Sequence, residues 1–368
     1  KQKTAYEIRL SLVGSEMCIR DSNNISDTGQ DAAWTMELFQ RLDRIRAVCG
    51  SVCTNSQSPE AWMTHSVAIP DANLRLTLAL DLEANCPALM ANADIDAGDP
   101  TVPFPPPTKL HPHYNMGGGG NLVFYKRRVD VYLGGQALQN KWTQEHINTL
   151  IQIYQQETVT LTPDQQQYAP TYDIAVTKIL KEKFISIGIA TKQRVLVIGS
   201  EKPWVEAICL AMGAQHVTTL EYGSIVSEHP QISTMTPNEM RDLYAKGELA
   251  KFDVVVSWSS LEHSGLGRYG DALNPWGDLL AVARAWCMTT DDAHLVLNVP
   301  CGQDLIWFNL HRYYGKMRYS LLTTNWIQLD GAEHPPNYFD VGNKDNNYIA
   351  FTFRKVTDFS PYLDKLGQ

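Results

Sequence analysis

The stretch "FDVVVSWSSLEHSGLGRYGDALNPWGD", residues 252–278, gathers the residue types that do chemistry. An apolar run ends at Trp258, and Ser259, Glu262, His263, Arg268 and Asp271 follow at once. His263 is the candidate general base, because an ordinary imidazole titrates near neutrality and this one follows a strand. It acts as that base, or it caps and packs the loop. Glu262 orients His263, contacts a ligand or sits in an exposed turn. Arg268 and Asp271 either pair to fix the loop or reach a substrate. Trp258 and Ser259 flank a bound ligand, or Trp258 packs in the core.

The elements that must position these groups begin at residue 194. "RVLVIGS" is a continuous apolar run, as expected of a strand covered on both faces. "PWVEAICLAMGA" follows as a helix with Pro203 in its first turn and Gly213 at its end. "HVTTLEY", "QISTM", "FDVVVSW" and "HLVLNVP" are further strands, with helical segments "TPNEMRDLYAKGEL" and "WGDLLAVARAWCM" between the later ones. Strands alternating with helices predict a doubly wound, mainly parallel sheet. "NWIQLD" and "NYIAFTFRKV" have no helix between them, so an antiparallel last strand is expected.

Ligands of such sheets bind outside the carboxyl ends of the strands. Gly199 starts the first strand-to-helix turn, with Ser200 and Glu201 beside it, and the helix start offers free N–H groups to an anion. Glu221 lies about 20 positions further on, the spacing of a ribose-hydroxyl acceptor. Its bland reading is a solvated turn carboxylate. Asn298 ends the fifth strand, where substrates lie. His311 and Arg312 form a polar pair on the aromatic-rich segment that holds Trp307, Phe308, Tyr313 and Tyr314, which is core or a stacking platform.

Composition bounds the partners. Apolar residues make up 44% and charged residues 19%, ordinary for a globular protein. The net charge of −9 argues against a nucleic-acid backbone as partner. The seven cysteines are scattered without a CxxC pair, so buried or idle thiols in a reducing compartment are expected and the cytoplasm is favoured. No metal site is expected. No apolar run approaches the ~20 residues that span a bilayer.

Residues 1–22 resemble translated adapter read-through and are set aside as a non-native artefact, so a targeting signal is free to be missing. Residues 23–120 read as an N-terminal extension, with an amphipathic helix over 31–49 and a Pro/Gly-rich exposed connection that includes Gly117–Gly120. "LRLTLALDLEA" suits a strand or a helix. Residues 121–190 read as a helical lead-in, with Thr143 as an N-cap and Gly188 as a helix end. Residues 357–368 form a tail.

Residues 191–356 resemble a class I S-adenosylmethionine-dependent methyltransferase domain. The likeness is carried by "VLVIGS", "TLEY", "FDVVVSWSSLEH" and "LVLNVP". More narrowly, "VIGSEKPWVEA", "LEHSGLGRYGDALNPWGD" and "NVPCGQDLIWFNLHRYYG" are similar to the methyltransferase-like family called domain of unknown function 268, first recognised in nematodes. The resemblance implies a Rossmann-like fold, S-adenosylmethionine as cofactor, and methyl transfer to an oxygen or nitrogen of a small molecule, with a sugar suggested by analogy. It implies cofactor contacts by Gly199, Ser200, Glu201, Glu221, Trp258, Ser259 and Glu262, and substrate contacts by Arg268, Asp271, Asn298, His311 and Arg312. The sequence departs from the family's glycine loop. Val197 replaces the acid inside the first strand, and Glu201 and Pro203 stand where later glycines belong. Glu201 either holds the cofactor's ammonium or points to solvent. In the second case the chain is a non-catalytic binding or scaffold protein that kept the fold.

Overall fold

The computed structural model describes residues 29–69, 74–99, 102–125, 140–156, 174–330, 339 and 349–368. The readings of residues 1–22 and of the run after Tyr125 up to residue 139 lie outside these. The chain divides into two compact units, Lys1–Phe39 and Gln40–Gln368. In the first, the described residues are the opening of helix α1 (Gly29–Cys49). The second holds the sheet and the candidate site.

"LRLTLALDLEA" turns out to be both of its readings in succession. Leu74–Thr77 pairs antiparallel with Ser66–Ile69, and Leu82 then opens helix α2 (Leu82–Ala91). Helix α3 (Gln144–Tyr154) is capped by Thr143, whose Oγ1 accepts from the His146 amide at 3.2 Å. Helix α4 (Ile174–Ser186) is followed by Gly188 in the left-handed region. The Pro/Gly-rich segment is not an exposed connection throughout. Leu110, Tyr114 and Met116 are buried, and the Tyr114 hydroxyl donates to Gly265 O at 2.7 Å. Its prolines break regular structure, but its apolar side chains still leave water, so the segment packs beneath the site loop.

The central sheet takes strands β1 (Arg194–Ile198), β2 (His216–Leu220), β3 (Ile232–Met235), β4 (Phe252–Trp258), β5 (Thr289–Asn298), β6 (Trp326–Gln328) and β7 (Ala350–Lys355). Their spatial order is β6-β7-β5-β4-β1-β2-β3. The pairs β1–β4, β1–β2, β2–β3 and β4–β5 are parallel, while β7 runs antiparallel to β5 and to β6. Val195–Val197 lies in register with Val254–Val256, and all six side chains are buried. β-Branched residues suit a pleated surface covered on both faces. Helices α5 (Trp204–Ala211), α6 (Pro237–Ala245) and α7 (Gly277–Cys287) make the crossovers. Thr236 and Glu239 close a reciprocal capping box at the start of α6. This is an α/β, Rossmann-like architecture.

From β1 the chain moves outward through β2 and β3, then returns to the other side of β1 as β4. The strand order reverses there, and a crevice opens at the carboxyl ends. Helix α8 (Lys316–Leu322) and a small sheet, in which Asn121–Phe124 pairs with Leu305–Phe308 and that strand with His311–Tyr313, flank the same end.

The expectation of buried or idle thiols is overturned for Cys49, Cys53, Cys86 and Cys287. Cys86 on α2 is bonded to Cys287 at the end of α7, and Cys49 to Cys53, with Cα–Cα separations of 5.6 and 5.7 Å. The first pair is 201 residues apart in sequence, so only the packing of α2 on α7 reveals it. Disulfides persist in oxidising compartments, which removes the ground for favouring the cytoplasm. Cys209 and Cys301 are free and buried.

A cross-link closing so long a loop restricts the unfolded chain strongly. Cys86→Ser combined with Cys287→Ser is expected to lose roughly 2–5 kcal/mol of stability. Denaturant titration without reductant checks this, and equal midpoints for the two proteins would contradict it.

Candidate functional site

A cleft of about 250 Å³ opens at the carboxyl ends of β1, β2 and β4. The β1 turn supplies Gly199, Ser200, Glu201, Lys202 and Trp204. β2 supplies Glu221 and Tyr222, β4 and its loop supply Trp258–Ser260, His263 and Ser264, and Tyr269 and Asp271 close the wall. The crevice at the strand reversal thus brings together eight residues read from the sequence: Gly199, Ser200, Glu201, Glu221, Trp258, Ser259, His263 and Asp271. Lys202, Trp204, Tyr222, Ser260, Ser264 and Tyr269 were missed. Tyr222 follows the acid and Ser260 and Ser264 flank the Glu-His pair, so adjacency was the available signal.

The β1 turn and the β4 loop fit against each other. Gly199 has φ +74, and a Cβ there would lie 1.8 Å from Ser260 Oγ. Only glycine takes both that conformation and that approach. Ser259 lies opposite in the left-handed region, φ 47, and its Oγ donates to Glu262 Oε1 at 2.7 Å. Strained backbone of this kind persists where its surroundings over-determine it, often at functional sites.

Val197 leaves the interior of β1 without an acid, and Glu206 on α5 provides one nearby. Its carboxyl has no exposed surface and accepts from Thr219 Oγ1 at 2.7 Å and Ser200 Oγ at 3.1 Å. Burial pushes it up to about 7. The signal was an acid inside the apolar helix "PWVEAICLAMGA". Glu201 is exposed, and its carbonyl accepts from Trp142 Nε1 at 3.3 Å. Glu221 is buried in the cleft wall at the end of β2. Burial raises its carboxyl, and its Oε1 accepts from the Tyr222 amide at 2.7 Å. Trp258 packs edge-on against Trp204, centroids 5.8 Å apart.

His263 does not titrate near neutrality. Burial first, then the charge of Arg268, hold the imidazole well below its ordinary value, so it is neutral at physiological pH. Its Nδ1 lies 2.8 Å from Leu310 O and 2.8 Å from Arg268 Nη1, and Nε2 lies 3.6 Å from Glu262 Oε1. Glu262 is buried behind the cleft lining, and burial pushes its carboxyl up to about 7. Arg268 does not serve as the partner of Asp271 that the loop reading expects: it reaches His263 and Leu310 O and covers the Tyr269 ring. Asp271 accepts from the Tyr269 and Gly267 amides at 3.1 and 3.2 Å, so backbone donors take its oxygens.

Besides Arg268, three residues assigned to the substrate side do not line the cleft. Asn298 is fully buried and donates to Ile349 O at 2.8 Å. Arg312 is also fully buried and donates to Ser264 O at 2.5 Å. His311 lies on the outer face of its strand, stacked on Trp307 and 6.2 Å from the His263 ring. Among the described residues no group of three or more His, Cys, Asp and Glu is placed to hold a metal ion. Among them, too, no helix is long and apolar enough to cross a membrane.

Residues 192–343 match the family described as "Caenorhabditis protein of unknown function, DUF268". The sheet and the cleft both fall largely within that stretch. No curated protein matches the chain. Among solved structures it is similar to the N-methyltransferase NodS from Bradyrhizobium japonicum WM9, at 11% identity over 50% of this chain and 98% of that one, TM-score 0.32. A putative O-methyltransferase from Klebsiella pneumoniae aligns at 10% identity over 58% and 90%, TM-score 0.31. The Burkholderia thailandensis 1,6-didemethyltoxoflavin-N1-methyltransferase, with bound 1,6-didemethyltoxoflavin and S-adenosylhomocysteine, aligns at 14% over 51% and 92%, TM-score 0.29.

The buried acid of α5 has a measurable consequence. Glu206 titrates near 7 when folded, against 4.5 ordinarily. Between these values the folded state holds a proton that the unfolded chain has released. The stability it contributes is fully present below about 4.5 and is lost as pH rises through about 7. Glu206→Gln cannot titrate. Its stability is expected to fall less between about pH 5 and pH 8 than that of the wild type, by on the order of 3 kcal/mol. Urea titration at both pH values measures the difference, and parallel pH profiles would contradict it.

Proposed function

We propose that this chain transfers a methyl group from S-adenosylmethionine to an oxygen or nitrogen of a small molecule, with a sugar the first acceptor to try. The observation that carries the reading is Glu221: a buried carboxyl in the wall of a cleft at the strand reversal, at the end of β2, facing the turn begun by Gly199. The residues fit the cofactor. Glu221 has acceptor capacity for two ribose hydroxyls. Gly199 and Ser200 bring backbone close, and Trp258 and Tyr222 give flat walls. The net charge of −9 favours a partner other than nucleic acid. Residues 191–356 form the catalytic domain, and the two disulfides favour an oxidising compartment.

When bound, S-adenosylmethionine supplies a methyl group on a sulfur that leaves readily, so the protein's work is chiefly positioning. Glu221 and the Gly199 turn hold the cofactor in one orientation. Neutral His263 accepts the proton of an acceptor hydroxyl as the new carbon–oxygen bond forms. Burial and Arg268 disfavour the imidazolium that results, so His263 would release the proton to the water of the open cleft. Tyr269 and Asp271 border the space left for the acceptor.

A second reading, a binding or scaffold protein on the same fold, is favoured by the exposed Glu201 and by Pro203 in place of loop glycines. Calorimetric titration with S-adenosylmethionine and S-adenosylhomocysteine separates the two, and no binding of either rejects the enzyme reading. Glu221→Ala removes two hydrogen bonds to a charged group, each worth about 1.5–3 kcal/mol, so affinity is expected to fall tenfold or more. Unchanged affinity would reject that role. His263→Ala is expected to cut turnover by roughly 10²–10⁴ while cofactor affinity holds. A fully active His263→Gln would remove the imidazole from the chemistry.

A further inference from the structure

The segment after α2 takes no part in the chemistry described so far, yet it borders the site. Ala93–Asp96 forms a tight turn opened by Asn92, whose Oδ1 accepts from the Asp94 amide at 2.9 Å. Beyond it the Asp99 amide donates to Gly270 O, the Ala272 amide donates to Ala97 O, and Gly98 bridges to Asp271. The segment is therefore a strap laid along the loop that carries Tyr269 and Asp271. Asp96 is its fixed point. Arg284 Nη1 of α7 donates to both its oxygens at 2.7 Å, and Arg241 Nη1 of α6 donates to Oδ2. Arg284 is itself held by Leu89 O at 2.9 Å and Asn92 O at 2.5 Å.

Asp96 lines a second, narrower cavity of about 70 Å³ that shares Gly199, Glu221, Tyr222, Ser260 and Ser264 with the cleft. Away from the shared wall its lining is apolar, with Ile198, Leu220, Met240 and Leu261, and Asp96 and Arg284 are the polar exceptions. An apolar slot with a charged pair suits a flat ring with a polar edge. The slot adjoins Glu221, where the proposed reading puts the ribose, so the base on that ribose is the group that enters it. A carboxylate offers about four acceptor positions, and the arginine contacts leave capacity on Oδ1.

We propose that Asp96 reads the base of the cofactor, its Oδ1 accepting a hydrogen bond from the exocyclic amino group of an adenine seated in this slot. The proposal rests on the S-adenosylmethionine reading above. It makes a residue outside the 191–356 domain a specificity determinant. A carboxylate presents acceptors only, so a 6-oxo purine would set its carbonyl against another acceptor. A site built to pair with an amino group rejects the analogue that lacks it.

The test is calorimetric titration of the full chain with S-adenosylhomocysteine and with S-inosylhomocysteine, which differ only in that amino group. The wild type is expected to prefer the adenosyl ligand by roughly tenfold or more. In Asp96→Asn the amide can donate to the oxo group, so the preference is expected to collapse or reverse. A merely structural Asp96 would weaken both ligands by one factor and leave the ratio unchanged, which overturns the proposal. Equal wild-type affinity for the two ligands overturns it without any variant, should Asp96→Asn fail to fold. A wild type that binds neither ligand fails the S-adenosylmethionine reading and takes this proposal with it, whereas adenosyl binding with an unchanged ratio sinks the strap's role alone.

Discussion

Asp278 enters α7 with no exposed surface and meets two guanidinium groups there. Arg318 donates to its two oxygens at 2.6 and 3.0 Å, the Tyr314 hydroxyl donates at 2.9 Å, and Arg312 Nε lies 3.6 Å away. Burial alone would raise this carboxyl, but Arg312 and Arg318 hold it below its ordinary value. Two buried cations against one carboxylate need further acceptors. Arg318 finds Pro275 O at 2.8 Å, and Arg312 finds Ser264 O at 2.5 Å. Ser264 belongs to the loop that carries Glu262 and His263, so the need to satisfy Arg312 fixes that loop over the cleft. Removing one member of such a cluster leaves an uncompensated charge in the interior and typically destabilises by about 3–5 kcal/mol.

From that anchor the constraint passes outward through backbone. Ser259 is held in the left-handed region by its bond to Glu262, and this sets Ser260 against Gly199. The β4 loop and the β1 turn therefore cannot shift independently. The Pro-rich segment joins the same unit through Tyr114 and Gly265, and the strap after α2 joins it through Asp99 and Gly270. Pieces distant in sequence are thus built into one rim, and the disulfide between α2 and α7 ties that rim to the sheet's crossover helix.

The sheet was legible because its signal is local. Val195–Val197 and Val254–Val256 read as buried strands by their own composition, and Glu221 is found by counting from Gly199. Direction and partners were not legible. Arg312 pairs with Ile306 on the inner face of its hairpin, whereas His311 pairs with Trp307 on the outer face. One position of strand register decides which is fully buried and which lies on the half-buried outer face, and a short polar pair does not reveal its register. Glu206 was hidden for a related reason: an acid in an apolar helix reads as a solvent-facing residue until Ser200 and Thr219 come to it from other elements. Asp96 and the Cys86–Cys287 bond depend on contacts between segments far apart, which no local period encodes.

The buried acids in the cleft wall and in the layer behind it have one electrostatic property in common. Glu206, Glu221, Glu262 and Asp271 are all raised, and in each case burial is the largest cause. Arg268 and Arg312 act on Glu262, but the others rely mainly on hydroxyls and backbone amides. Such a site disfavours ionisation until a positive charge arrives. A cationic ligand would stabilise the carboxylate forms that burial opposes, and the gain is large because little water screens it. A neutral ligand of the same shape gains none of this. In the proposed reading the substrate cofactor is cationic and its demethylated product is not. The same buried acids that hold the loops in place would then favour the cofactor over its product.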